Sequence, residues 1–129
     1  MNKLVVAMYI RLSDEDKDLA KSTIKTESDS IGNQRNLLTS FIGNHSELAD
    51  GKILEFCDDG YSGTNFERPS VQKLLAQVKR RENDCIVVKD FSRFGRNYLE
   101  LGDYLEQVFP FLGVRFISVN DGYDSAKNH

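Results

Sequence analysis

Apolar positions along the chain fall into four short runs separated by stretches with helical spacing. Residues 3–10 (KLVVAMYI) form a compact apolar run, the pattern of a strand buried on both faces. Residues 52–57 (KILEFC) alternate and predict a second strand. Cys85–Val88 (CIVV) predicts a third, too short and apolar to lie anywhere but mid-sheet, and residues 114–119 (VRFISV) predict a fourth. Between them, Ile31, Leu37, Leu38, Phe41 and Ile42 mark one helix face, with Ser28 or Ser30 placed to cap its start. Val71, Leu74, Leu75 and Val78 follow the i, i+3, i+4, i+7 rule behind Pro69, which suits the first helical position. Lys79, Arg80 and Arg81 close that helix where cations favour its dipole. Leu101, Leu105, Val108 and Leu112 predict a helix over 97–112, stopped by Gly113 and kinked or frayed by Pro110. Three polar stretches remain: 14–29, a mobile loop or a solvated helical turn, and the loops 58–68 and 90–97.

This β-α-β-α-β-α-β order implies a parallel sheet with right-handed crossovers and helices on both faces. Ligand sites in such sheets lie beyond the carboxyl ends of the strands. Residues 9–13, 58–63, 89–96 and 120–122 should therefore converge on one edge.

At 129 residues the chain is of single-domain size and buries about two-thirds of its unfolded surface, enough to fold without staples. No apolar run approaches a membrane span, and the N-terminus lacks a signal-peptide cleavage region. A cytoplasmic protein with no membrane contact is expected. Cys57 and Cys85 sit at strand edges and read as buried free thiols. A net charge of −3 argues against tight free-standing DNA binding, which needs a basic surface. Any DNA affinity should come largely from another segment. The polar tail 125–129 adds no closing element, so a fragment of a larger protein is expected.

The converging edge carries Arg11, Ser13, Arg93 and Arg96. Arginine forks match phosphate oxygens, and a serine hydroxyl can attack phosphorus. Arg11 and Ser13, two apart in an extended segment, point to one side; singly, they would read as a surface charge and a turn residue. Arg93 and Arg96, three apart at a helix entry, gain nothing from the helix dipole and make more sense around an anion than as solvated charges. Arg68, just before Pro69, is in a similarly unfavourable place for a cation. Asp59 is placed to orient an arginine or a hydroxyl, and Gln34 to donate to a phosphate or simply to border the core. Gly95 permits close backbone approach or an unusual turn, and Lys89 and Asp90 add charge or pair. The adjacent Asp58 and Asp59 offer a weaker alternative, a Mg²⁺-dependent nuclease. His45 and His129 are poor candidates for a Ser-His-Asp triad, and no phosphate-cradling glycine loop is present.

The pieces Tyr9-x-Arg11-x-Ser13, Ser30-Ile31-x-Asn33-Gln34, Asp59-Gly60-Tyr61-Ser62-Gly63, Arg68-Pro69, Ser92-Arg93-Phe94-Gly95-Arg96-Asn97 and Gly113-Val114-Arg115-Phe116 run in one order over nearly the whole chain. In that order they resemble the catalytic domain of the serine recombinases, the resolvase/invertase family, and especially the large members from transposons and phages. The resemblance implies a three-layer α/β domain with a mostly parallel sheet flanked by helices. It implies that Ser13 is the nucleophile forming a 5′-phosphoserine link. Arg11, Arg68, Arg93 and Arg96 would bind the scissile phosphate, Gln34 and Asp59 would support the site, and Tyr9, Ser62 and Asn97 would lie behind it. No metal or other cofactor is implied. The implied partner is double-stranded DNA, bound by a homodimer at each site and a tetramer in the synapse, for integration or excision. Ser92 stands where small resolvases have Asp, as in many large members. The family's long dimerisation helix and DNA-binding domains have no counterpart in the 129 residues. The rival reading is a non-catalytic α/β phosphate-binding or receiver-like module, although a receiver wants clustered acids where Arg11 and Ser13 stand.

Overall fold

The computed structural model of the chain describes residues 4–11, 26–58, 69–95 and 98–127. Among them, five strands form one sheet, β1 (Val5–Arg11), β2 (Lys52–Asp58), β3 (Cys85–Val88), β4 (Arg115–Ser118) and β5 (Tyr123–Asp124), in the order β2-β1-β3-β4-β5. The first four are mutually parallel and β5 is antiparallel to β4. Strands β1 and β3 lie inside the sheet, as their unbroken apolar runs require. The predicted start of β1 at Lys3 and residues 14–25 of the polar stretch lie outside the described residues.

Side-chain alternation divides the core between the two sheet faces. On one face Val6, Met8 and Ile10 of β1, Cys85 and Val87 of β3 and Ile117 of β4 meet Leu38 and Ile42 of α1 (Thr26–Gly43). On the other, Ala7, Tyr9, Ile86, Val88 and Phe116 meet Val71, Leu74, Leu75 and Val78 of α2 (Pro69–Lys79), together with Phe94, Leu101 and Phe109. Helix α1 is already helical at Thr26, so Ser28 and Ser30 fall inside it rather than at its cap. The predicted loop therefore gives way to helix over its last residues. Tertiary packing of the 34-38-42 stripe stabilises a helix whose opening residues carry no apolar signal.

The region 90–97 is not all loop. Phe91–Phe94 forms a one-turn helix, α3. Next, α4 (Tyr98–Asp103) widens into a π-helical turn (Tyr104–Val108) before a last turn, α5 (Phe109–Leu112). Pro110 explains the widening: it has no N–H for an i−4 bond, and its ring would clash with the carbonyl of Glu106 in a regular helix. The sequence led us to expect a kink there, and the chain answers with a π turn, Phe109 N–H donating to the Tyr104 carbonyl.

Two helices end in the same left-handed cap. At Gly113 (φ 71°), Val114 N–H donates to the Phe109 carbonyl at 2.8 Å and Gly113 N–H to that of Pro110 at 3.1 Å. After α2 the equivalent residue is Arg81 (φ 59°), with Glu82 N–H on the Gln77 carbonyl at 2.9 Å and Arg81 N–H on that of Val78 at 2.9 Å. A non-glycine residue in that conformation is strained by about 1 kcal/mol. Arg81→Gly is therefore expected to stabilise the chain by up to about 1 kcal/mol, less the extra freedom of glycine in the unfolded state. Urea unfolding checks this; a lowered midpoint would contradict it.

Strand β5, which the four-strand reading missed, is only two residues long. It is fixed to β4 by the fork of Arg115, which donates to Asp124 through Nε at 2.8 Å and Nη2 at 2.5 Å. Those hydrogen bonds hold the Asp124 carboxyl below the usual carboxylate range. Both cysteines are free thiols, as expected, but only Cys85 is buried and Cys57 is half-buried; burial pushes Cys85 up to about 12, leaving it neutral and unreactive near pH 7. None of the helices among the described residues is long and apolar enough to cross a membrane.

Candidate active site

Strands β1, β2, β3 and β4 deliver Arg11, Asp58, Lys89 with Asp90, and Val119 with Asn120 to the same edge, because parallel strands share a direction. The topology does what the pattern of runs implied. Of the ten residues singled out for the site, the described set contains Tyr9, Arg11, Gln34 and Arg93. Ser13, Asp59, Ser62, Arg68, Arg96 and Asn97 lie outside it.

Arg11 and Arg93, 82 positions apart, clasp one another. Arg11 is fully buried and Arg93 is 5 % exposed. The Arg11 guanidinium donates to the Arg93 carbonyl through Nε at 3.1 Å and to the Ser92 carbonyl through Nη2. Arg93 returns the contact, Nη1 donating to the Arg11 carbonyl at 3.0 Å. Two like charges at one edge repel, and carbonyl dipoles are what a buried guanidinium needs when water is excluded. Asp90 adds a carboxylate, its Oδ2 lying 3.6 Å from Arg93 Nε.

Gln34 stands on the buried stripe of α1, one turn before Leu38 and two before Ile42, and is 1 % exposed. Its amide brackets the Arg11 backbone: Nε2 donates to the Arg11 carbonyl at 3.1 Å, and Oε1 accepts from Arg11 N–H at 3.4 Å. The two readings of Gln34 are thus replaced by a third, a clasp on the exit of β1. It holds the last residue of β1 in place.

Tyr9 is also fully buried, and its hydroxyl donates to Asp58 Oδ2 at 2.8 Å. Asp58 is a site residue that the sequence reading did not single out for this role. Its Oδ1 accepts from Ser70 N–H at 2.9 Å and its Oδ2 from Val71 N–H at 3.0 Å, capping α2 from the end of β2. A carboxylate capping a helix 11 positions downstream leaves no local sequence signal. With three donors on its two oxygens, Asp58 is fitted to hold a helix start, which weighs against the metal-nuclease alternative.

The Asp90 cap on α3 was partly legible, since Asp is a favoured N-cap residue. Asp90 Oδ1 accepts from Arg93 N–H at 3.2 Å and from the Ser92 hydroxyl at 2.6 Å. Lys89 and Asp90 are thus not a pair in which the acid serves the lysine. The aromatic residues flanking Arg93 lock the turn in place: Phe94 packs edge-on against Tyr9 and Phe116 with ring centroids 5.9 and 5.2 Å apart, and Phe91 stacks on Phe116 at 6.2 Å. Gly95 is buried in extended backbone (φ −171°) that any residue adopts, so the unusual turn is not what it provides.

Comparison with known proteins bears on this edge. Residues 6–129 match the N-terminal domain of the resolvase family. No curated protein sequence matches the chain. Among solved structures, the chain is similar to the N-terminal catalytic domain of TP901-1 integrase, with 25 % identity, 96 % of this chain and 83 % of that one covered, and a TM-score of 0.73. It is similar to a resolvase family site-specific recombinase from Streptococcus pneumoniae, with 27 % identity, coverage of 98 % and 78 %, and a TM-score of 0.70. A third is the C-terminal catalytic domain of an IS607-like serine recombinase, with 25 % identity, coverage of 90 % and 67 %, and a TM-score of 0.67. A shared sheet order alone would leave the chemistry open, but the ordered motifs and a family match over almost the whole chain do not: the chain belongs to the resolvase family of site-specific serine recombinases, as their catalytic N-terminal domain.

Proposed function

We propose that this domain cuts and rejoins double-stranded DNA through Ser13. The observation that carries the reading is the Arg11–Arg93 clasp, which gathers two guanidiniums, one from the end of β1 and one from the α3 turn that follows β3, at the edge from which the chain runs on to Ser13. In this reading the Ser13 hydroxyl bonds to the scissile phosphorus while the bond to the 3′-oxygen breaks. The serine proton ends on that oxygen as a free 3′-hydroxyl, and the 5′ end is held as a phosphoserine. Attack by a 3′-hydroxyl on the phosphoserine reverses the step and rejoins the strands. Because the phosphodiester energy stays in the protein–DNA bond, neither nucleotide nor metal is required.

Arg93, Arg11, Arg68 and Arg96 are assigned to the charge that develops on the phosphate oxygens. Donors fixed in advance at such a position are commonly the largest catalytic contribution. Gln34 and Tyr9 support the site through the Arg11 backbone and Asp58; Asp59, Ser62 and Asn97 are assigned supporting roles from their motifs. The net charge of −3 supports a division of labour in which other segments supply most of the DNA affinity. A homodimer on each site and a tetramer in the synapse are part of this proposal, as is action in the cytoplasm, on a transposon or phage element.

The test is the chemistry of the cut ends. On nicked crossover-site DNA in EDTA, the intact recombinase is expected to leave free 3′-hydroxyls and protein-blocked 5′ ends. Free 5′-phosphates, or cutting abolished by the chelator, would instead favour a metal-dependent nuclease.

A further inference from the structure

The α3 turn that carries Arg93 is held by an acid remote from it in sequence. Asp121, in the turn between β4 and β5, accepts from Phe91 N–H through Oδ2 at 2.8 Å. The same oxygen accepts from the hydroxyl of Ser118 at 2.6 Å, and Ser118 is fully buried at the end of β4. The turn is itself zipped to the exit of β3: Val119 N–H donates to the Val88 carbonyl at 3.0 Å, and Asn120 N–H to that of Lys89 at 2.8 Å. Gly122 (φ 64°) reverses the chain behind Asp121, a conformation suited to glycine. Asp121 is therefore fixed relative to β3 and β4, and it holds the first amide of α3 from outside.

Asp90 occupies the Arg93 amide of the same turn. The Phe91 and Arg93 amides are both held by protein carboxylates, and the cation that α3 carries is the guanidinium of Arg93. A four-residue helix has little rigidity of its own, so its anchors decide where that guanidinium lies. We propose that Asp121 is a positioning residue for the recombination chemistry: by holding Phe91 N–H it orients the α3 turn and thereby Arg93. The proposal rests on the phosphate-binding reading of Arg93 given above.

A displacement of about 1 Å at a reacting centre is enough to slow a reaction about a hundredfold. The experiment is single-turnover cleavage by the intact recombinase, at saturating protein on crossover-site DNA, in wild-type and Arg93→Lys backgrounds. Asp121→Ala is expected to slow cleavage at least tenfold. Asp121→Asn keeps a carbonyl oxygen able to accept from both Phe91 N–H and Ser118, and is expected to stay within about threefold of wild type. In the Arg93→Lys background, Asp121→Ala is expected to cost less than about twofold, because residues acting through one another are not additive. Equal losses in both backgrounds, or no loss in either, overturn the proposal. An Arg93→Lys protein that cleaves at the wild-type rate overturns the reading of Arg93 itself, and the role of Asp121 with it. Amide hydrogen exchange at Phe91 in the 129-residue chain provides a readout without DNA. Exchange is expected to quicken in Asp121→Ala and not in Asp121→Asn; unchanged exchange in Asp121→Ala overturns the anchor.

Discussion

Replacing Arg93 with alanine is expected to slow DNA cleavage by about a hundred- to a thousandfold, the range found when one preorganised donor to a developing oxyanion is removed. That range corresponds to about 3–4 kcal/mol of transition-state stabilisation. Arg93 sits at 5 % exposure, its Nη1 on the Arg11 carbonyl at 3.0 Å and its Nε 3.6 Å from Asp90. The substitution therefore also removes a partner from Arg11. Lysine should restore only part of the rate, because an ammonium cannot reproduce the planar fork. Single-turnover cleavage beside a thermal melt separates the two contributions. Near-normal strand exchange in Arg93→Ala would contradict the assignment.

The largest expected effect on stability is at Arg11. Its side chain is fully buried and its guanidinium reaches the carbonyls of Ser92 and Arg93. Arg11→Ala leaves both carbonyls without that donor and opens a gap the size of a long side chain. Each unsatisfied buried group costs about 1–3 kcal/mol, so a loss of about 3 kcal/mol or more is expected. That is a large part of the stability of an ordinary domain. Arg11→Lys should recover little, since one ammonium on a flexible stem does not span both carbonyls. Urea unfolding of the 129-residue chain measures this directly. A change below about 1 kcal/mol would mean that the clasp contributes little to the fold. Arg11 is thus expected to serve twice, as a brace between β1 and α3 and as part of the phosphate site.

What the sequence made legible is what depends on local periodicity. The extent of β3 over Cys85–Val88, the start of α2 at Pro69, its buried face of Val71, Leu74, Leu75 and Val78, and the stop at Gly113 all follow from short-range spacing and punctuation. Convergence of the strand ends followed from parallel topology. What escaped is what depends on partners distant in the chain. Asp58 capping α2 from a strand end, Gln34 bracketing Arg11 and Asp121 holding Phe91 are bonds across 13, 23 and 30 positions. No window of residues reports them. Strand β5 was missed because two residues cannot display a period, and the left-handed cap at Arg81 because no glycine marks it. The α3 turn was missed for a related reason. Its four residues are held by Asp90, Asp121 and the aromatic contacts of Phe91 and Phe94 rather than by helical propensity.

The acids at this edge share a pattern with a chemical consequence. Asp58, Asp90 and Asp121 each accept from backbone N–H groups at a helix start. Carboxylates so engaged organise the edge that carries Arg11 and Arg93, and their charge is partly offset by the amides they hold. An anion approaching the arginines therefore meets less repulsion than three free carboxylates would give.

The central claim, that Ser13 is the nucleophile, is tested most directly by trapping its covalent product. Intact recombinase, with Ser13 present or replaced by Ala, would be incubated with a nicked suicide substrate in EDTA, digested and mapped by mass spectrometry. The account predicts DNA joined to Ser13 and no adduct in the Ser13→Ala protein. An adduct on another residue, or none on DNA that the protein demonstrably binds and synapses, would contradict it.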